Sequence, residues 1–388
     1  MNRLFRFCMF AATMTAVAGF FAACSSSDDD QPDSISEKEL TLKTAVEEYV
    51  DYTVLPTYTA MADAAVELAD LCQQIQTKYD AGTLSQSDIV KAGNVWKTAR
   101  KNWELSEAFL FGPAANHNID PHIDSWPLDK TAMDNLLKDI VAGKQWDLTN
   151  NGGYGLIGFH ALEYVLYRLT DDENSSLPHS IDYAPGEVEY MVAVANDLRD
   201  QCVCLEACWA GTDNISAAKQ DILEEAELDY SEEYGWEMKH SGEAGSHFKT
   251  FQDAAQEIIQ GCIDIADEVG NTKIGRPATG ASDEDKNYIE SPYSLNSIED
   301  FADNIISIER SYFGTRGNNL SISAFIKSIN PELDTEMRTA IDNSLTAIRA
   351  IPEPFTKTAT GPQAKNAVKV VGTDLVSTLN KVNYALTR

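Results

Sequence analysis

The sequence predicts an all-α protein built as helical bundles, on three observations. Apolar residues recur at spacings of three and four along most of the chain, as a helix with one buried face requires. Pro and Gly punctuate these stretches at their ends, as at Gly112-Pro113, Pro127 and Gly152-Gly153. Few segments show the alternation or β-branched enrichment of strands.

Taken in order, Ile35 to Tyr79 reads as one amphipathic segment in which Pro56 should kink or split the helix. Ser85 to Phe111 is a second helix, stopped by Gly112-Pro113. Residues 114–126, rich in Asn, Asp and His, read as a loop. A third helix follows Pro127, and a fourth runs from about Tyr154 to Leu169. The polar stretch 170–182 reads as a linker, and further helices are expected near 185–209, 214–228, 247–269, 295–313, 319–328, 332–350 and 361–386. Short connections between antiparallel helices suggest bundles, and the length suits one large or two medium domains; if two, they are expected at residues 36–175 and 176–388. Ser106-Glu107-Ala108-Phe109-Leu110-Phe111-Gly112 and Ser307-Ile308-Glu309-Arg310-Ser311-Tyr312-Phe313-Gly314 both end helices, the mark an ancient duplication would leave. Phe-Gly at a helix end is also ordinary C-cap chemistry.

The N-terminus sets the expected compartment. Arg3 and Arg6 precede an apolar stretch from Phe7 to Phe21, and Ala22-Ala23 precede Cys24. Charge, apolar core and small residues in that order make residues 1–23 a secretory signal, and the small residues before Cys24 resemble a lipobox. Cys24 is then the lipidated first residue of an outer-membrane lipoprotein facing the periplasm or the cell surface. Residues 24–35 are polar and acidic and read as a disordered tether.

The net charge is −31, and losing Arg3 and Arg6 with the signal makes it two units more negative. Such a surface repels nucleic acid and anionic lipid and attracts cations, so nucleic-acid binding is set aside and membrane contact is through the lipid only. Cys72, Cys202, Cys204, Cys208 and Cys262 are odd in number and lack paired zinc-finger spacing. They read as buried small apolar residues rather than as a disulfide framework or a thiolate metal cluster.

The segment Gly155-Leu156-Ile157-Gly158-Phe159-His160-Ala161-Leu162-Glu163-Tyr164-Val165-Leu166-Tyr167 is apolar nearly all round. His160 and Glu163 share one face, and a buried carboxylate needs partners. The pair could supply two metal ligands or a satisfied core hydrogen bond. Upstream, Trp96, Arg100, Trp103 and Glu107 recur along one helix face, where Arg100 could neutralise Glu107 or Glu163. His117 and His122 read as part of a solvated loop.

Four ordered motifs together resemble the imelysin-like family: Trp96-x3-Arg100-x2-Trp103, Ser106 to Pro113, Ile119-Asp120-x3-Asp124-x-Trp126-Pro127, and Gly158-x-His160-x2-Glu163. Lys273-Ile274-Gly275-Arg276-Pro277, Glu290-Ser291-Pro292-Tyr293-Ser294 and Asn296-Ser297-Ile298-x-Asp300-Phe301 look like its C-terminal signatures. The resemblance implies two helical bundles with a site between them, an envelope setting, and a link to iron acquisition. It makes His160 and Glu163 the central pair and Glu107 and Asp124 further metal ligands. Arg100, Trp103, Trp126, Glu290 and Ser291 become supporting residues.

The expected function is capture of a metal cation or an iron-containing ligand for uptake, with an outer-membrane receptor as partner. Iron, or another divalent cation such as zinc, suits a His-and-carboxylate donor set. Two alternatives stand beside it: a metal-dependent peptidase, the activity for which the family is also named, and a receptor-docking scaffold with a purely structural His160–Glu163 pair. The residues do not supply the peptidase label, because His-Glu-x-x-His needs two histidines one turn apart and the helix carries one.

Overall fold

The computed structural model describes residues 36–146, 148, 153–168, 181–317 and 319–388. The signal segment, Cys24, the tether and most of the linker lie outside the described residues. Residues 37–388 form one compact unit, and among the described residues there are helices and no strands. No described helix is long and apolar enough to cross a membrane.

Pro56 does not split the first segment. Helix α1 (Glu37–Tyr49) runs through a π-helical turn, Val50–Val54, into α2 (Leu55–Asp80). The Leu55 N–H bonds to the Val50 carbonyl, and Pro56 falls in the first turn of α2, where its missing N–H costs little. Ser85 and Asp88 make a reciprocal capping box that starts α3 (Gln86–Glu104). This helix ends seven residues before the expected Phe111, and a 3₁₀ turn, Glu107–Phe109, follows. The expected loop over 114–126 contains two short helices, Pro113–Asn116 and α4 (Ile119–Asp124), because Pro113 and the buried Ile119 and Ile123 favour helical turns on the core.

The expected third helix follows at Lys130–Val141, and the helices that build the core after it include α5 (Gly158–Tyr167), α6 (Glu187–Ala210), α7 (Phe251–Asp267), α8 (Ser297–Phe313), α9 (Pro331–Arg349), α10 (Pro362–Lys369) and α11 (Val376–Leu386). Two further π turns, Glu268–Lys273 and Val370–Leu375, extend α7 and join α10 to α11. They meet at glycines. A Cβ on Gly270 would lie 2.3 Å from Gly372 Cα, so the turn after α7 tolerates no side chain at the crossing.

Helices α2, α3, α5 and α6 contact one another in a closed ring, and α7, α8, α9 and α11 do the same. We propose that these rings are the two bundles, with α6 in the first ring although its sequence position lies beyond residue 176. Contacts between α3 and α8, and between the Glu107–Phe109 turn and α7, join the rings. There the segments with the suspected duplication touch: the Ala108 N–H donates to the Ser307 hydroxyl at 3.1 Å. Gly261 of α7 permits that approach, since a Cβ there would sit 2.3 Å from the Ala108 carbonyl oxygen.

Candidate functional site

The join between the rings holds a buried charged cluster. Arg100 comes from α3, with Glu104 one turn on and Glu107 in the 3₁₀ turn after it. Asp124 ends α4, and His160 and Glu163 lie on α5. Lys273 ends the π turn after α7, Glu290 and Ser291 precede α8, and Asp300 is in its first turn. Every one of these side chains is buried.

Gly158 positions the motif helix. Its φ is +76°, and a Cβ would fall 2.2 Å from the Ile123 carbonyl oxygen, so only glycine lets α5 start against α4. The Trp96 indole N–H donates to the Phe159 carbonyl at 3.0 Å and fixes α5 to α3. His160 then projects between two carboxylates. Its Nε2 lies 3.0 Å from Asp124 Oδ1 and its Nδ1 3.3 Å from Glu163 Oε2, with the Trp126 ring 4.7 Å from the imidazole.

Glu163 is fully engaged. Its Oε1 accepts from the Tyr293 N–H at 3.0 Å, and from the Ser294 N–H and hydroxyl at 2.8 Å each. Arg100 pairs with neither of its expected partners, Glu107 and Glu163. Its guanidinium contacts Asp124, Glu104 at 2.5 Å, Glu290 at 2.6 Å and Asp300 at 3.6 Å. Those acids arrive from three chain segments, which α3 periodicity alone does not specify. Glu107 turns to Lys273, 3.2 Å away, and Lys273 also lies 3.2 Å from Glu290.

The supporting residues divide by role. The Trp103 indole donates to Asp124 Oδ2 at 2.7 Å. The Ser291 hydroxyl donates to Asp300 at 2.5 Å. Glu290 Oε2 is buried with no hydrogen-bond partner among the described residues.

Negative charge is in excess. Six carboxylates (Glu104, Glu107, Asp124, Glu163, Glu290 and Asp300) face the cations Arg100 and Lys273, with His160 a third when protonated. Burial raises the pKa of Glu104 and of Glu107, despite the nearby cations. It pushes Asp300 to about 6 against the pull of Arg100. Asp120 reaches about 7 through burial and the neighbouring Asp124 and Glu268. Burial would lower the His160 pKa, but Asp124 and Glu163 outweigh it and raise it to about 9. Burial likewise opposes the Asp124 charge, yet Arg100 and His160 hold that carboxyl well below its usual range.

Beside the cluster is a cavity of about 260 Å3, lined by Glu107, Asp120, Asp124, Trp126, Glu268, Lys273, Tyr288 and Glu290 among others. Two donor sets at the cluster are close enough to share one ion: Asp124, His160 and Glu290, and Glu104, Glu107 and Asp124. Sequence reasoning named His160, Glu163, Glu107, Asp124, Arg100 and Glu290 but passed over Glu104, Lys273, Asp300, Asp120 and Glu268. Glu104 was legible as the i+4 partner of Arg100, and Lys273 and Asp300 stand in the C-terminal signatures. Asp120 stands in the Ile119-Asp120-x3-Asp124 motif, and Glu268 carries no local signal.

Comparison with known proteins agrees with the motif spacing. Iron-regulated protein A of Synechococcus elongatus is 25% identical over 364 residues, which cover 93% of this chain and 87% of that protein. The crystal structure of an iron-regulated protein A precursor from Parabacteroides distasonis superposes with a TM-score of 0.74 at 27% identity. It covers 89% of this chain and 95% of that one. An imelysin-like protein from Psychrobacter arcticum shares the fold at 14% identity, with a TM-score of 0.58 over 89% of this chain and 98% of that one. The imelysin (peptidase M75) family model matches residues 54–382, and the chain belongs to that family.

Proposed function

We propose that this protein captures a divalent cation, iron by preference, in the carboxylate cavity between its two helical rings, as a lipid-tethered envelope component of iron uptake. One observation carries the reading: a buried site holds six carboxylates against two permanent cations, and one oxygen of Glu290 has no hydrogen-bond partner among the described residues. Buried carboxylates short of positive charge must hold protons or bind a cation. The Synechococcus and Parabacteroides relatives, both named as iron-regulated, support the choice of metal.

The donor set fits. Asp124, Glu290 and the His160 Nε2 would be the ligands, a hard-oxygen and imidazole set that Fe and Mn accept, as does Zn. Glu163 takes a different role from the ligand expected. Three donors hold its Oε1, and its Oε2 faces His160 Nδ1, so it fixes that nitrogen as N–H and turns Nε2 to the cation. Glu107, Asp120 and Glu268 would shape the outer part of the cavity. The peptidase reading has less support, since the donor sets hold at most one histidine each.

Titration calorimetry of the purified chain with Fe2+, Mn2+ and Zn2+ tests this. Saturable binding should release protons, because the His160 imidazole, raised to about 9 by Asp124 and Glu163, must give up its Nε2 proton to hold the ion. Heats should therefore vary with the ionisation enthalpy of the buffer. The Asp124→Asn/Glu290→Gln double variant should lose binding while keeping its far-ultraviolet circular dichroism. Equal heats from that variant and the parent would remove the cation site and leave the cluster a structural core.

A further inference from the structure

A second donor cluster stands apart from the central cavity and uses none of its residues. Near the C-terminal end of α6, Cys204 and Cys208 lie one turn apart, and both are buried. His117 follows the short helix Pro113–Asn116, and Glu232 follows the turn at Asp229. The fold brings these three segments together. His117 Nε2 lies 2.7 Å from Glu232 Oε2, and donor atoms of His117, Cys208 and Glu232 all lie within 4.8 Å of one another. The Tyr230 ring stacks on the imidazole at 3.8 Å with a 13° interplanar angle, holding its edge toward Glu232.

We propose that His117, Cys208 and Glu232, with Cys204 as the fourth donor, form a binding site for a borderline-soft divalent cation, zinc by preference. Imidazole, carboxylate and two thiols make a tetrahedral set of the kind zinc takes, unlike the oxygen-rich central site. The polar pair needs little change, while the buried Cys208 thiol must close on it, since an N or O donor and a thiolate on one zinc stand roughly 3.5 Å apart. Ligand atoms about 2.0 Å from zinc at a tetrahedral angle stand roughly 3.3 Å apart, so the His117–Glu232 pair opens by about half an ångström. Both side chains are partly exposed, so they can move. Glu232 also lines an open cavity of about 620 Å3 beside the site, which gives an ion a route in. Binding would release the Cys208 and Cys204 thiol protons to solvent and leave thiolates on the metal. The sequence treats these cysteines as apolar filler, and for Cys72, Cys202 and Cys262 burial agrees. Cys208 differs because an imidazole and a carboxylate converge on it.

An ion pair beside two buried thiols would have the same geometry without any cation, and cobalt(II) separates the two. Titrating the whole chain with Co2+ under a phosphine reductant should give a near-ultraviolet thiolate-to-cobalt charge-transfer band. The oxygen and nitrogen donors of the central site cannot produce it. Cys208→Ser should abolish the band, and one equivalent of Zn2+ should bleach it. His160→Ala should leave it intact, so failure of the central site would not be read here. His117→Ala and Glu232→Gln, at partly exposed positions, should weaken Co2+ binding by more than about tenfold, as should removal of the orienting Tyr230 ring in Tyr230→Ala. These three variants carry the test if Cys208→Ser does not fold. No charge-transfer band at saturating Co2+, or a band unchanged in Cys208→Ser, would overturn the proposal.

Discussion

At the residue scale, Gly158 and His160 make separate demands on the same helix. Gly158→Ala must place a Cβ 2.2 Å from a backbone oxygen at φ +76°, where neither partner can yield. The substitution should cost about 2–4 kcal/mol in urea unfolding, with His160 displaced and cation affinity falling with it. His160 makes a pH prediction. Its folded pKa of about 9 lies above the usual 6.5, so its ion pairs stabilise fully below about pH 6.5 and fade as pH rises to 9. The contribution is about 3 kcal/mol, and its Asp124 share is counted once, since the same contact adds to Arg100 in depressing Asp124. Asp300 at about 6 and Asp120 at about 7 act in the same direction, since folding holds their protons more tightly than the open chain does. Stability of the cation-free protein should therefore fall from about pH 5 to pH 9. His160→Gln should flatten the limb above pH 6.5; an unchanged limb would mean that His160 is neutral in the fold.

At the element scale, the π turns decide where charges go. The turn after α7 delivers Lys273 to Glu107 and Glu290, and its glycine crosses Gly372 of the other π turn. Gly270→Ala should lower stability by about 1–3 kcal/mol through this overpacked crossing, read as a drop in Tm. It should also weaken the cation site, because Lys273 moves with the turn. A Tm within a degree of the parent would show that the crossing relaxes freely. Helix existence was legible because 3.6-residue periodicity is a local property of the chain. The π turns were not, since a shift from i−4 to i−5 bonding leaves no mark on the apolar pattern. For the same reason Pro56 looked like a break and proved to be an ordinary first-turn residue.

At the scale of the whole molecule, the acidic balance and the buried cluster act together. A net charge of −31 concentrates cations near the surface, and the cavity between the rings is the site proposed to take one. A ligand that binds only the folded state stabilises by about 2.7 kcal/mol at a hundredfold excess over Kd. Mn2+ at that excess should raise Tm by several degrees, and the shift should disappear in the Asp124→Asn/Glu290→Gln variant. An equal rise in both proteins would point to diffuse screening of surface charge.

The sequence alone determined the helical class, because period and punctuation are written in neighbouring residues. It also determined the His160–Glu163 pair, because i, i+3 spacing on an apolar helix puts two titratable groups on one buried face. Only the tertiary structure decided their partners. Glu163 is held by Tyr293 and Ser294, about 130 residues away, and Arg100 meets Glu290 across 190. It likewise decided that Cys208 faces His117 and Glu232. Such pairings depend on how helices cross, and crossing geometry is set by packing between distant segments that no local pattern encodes.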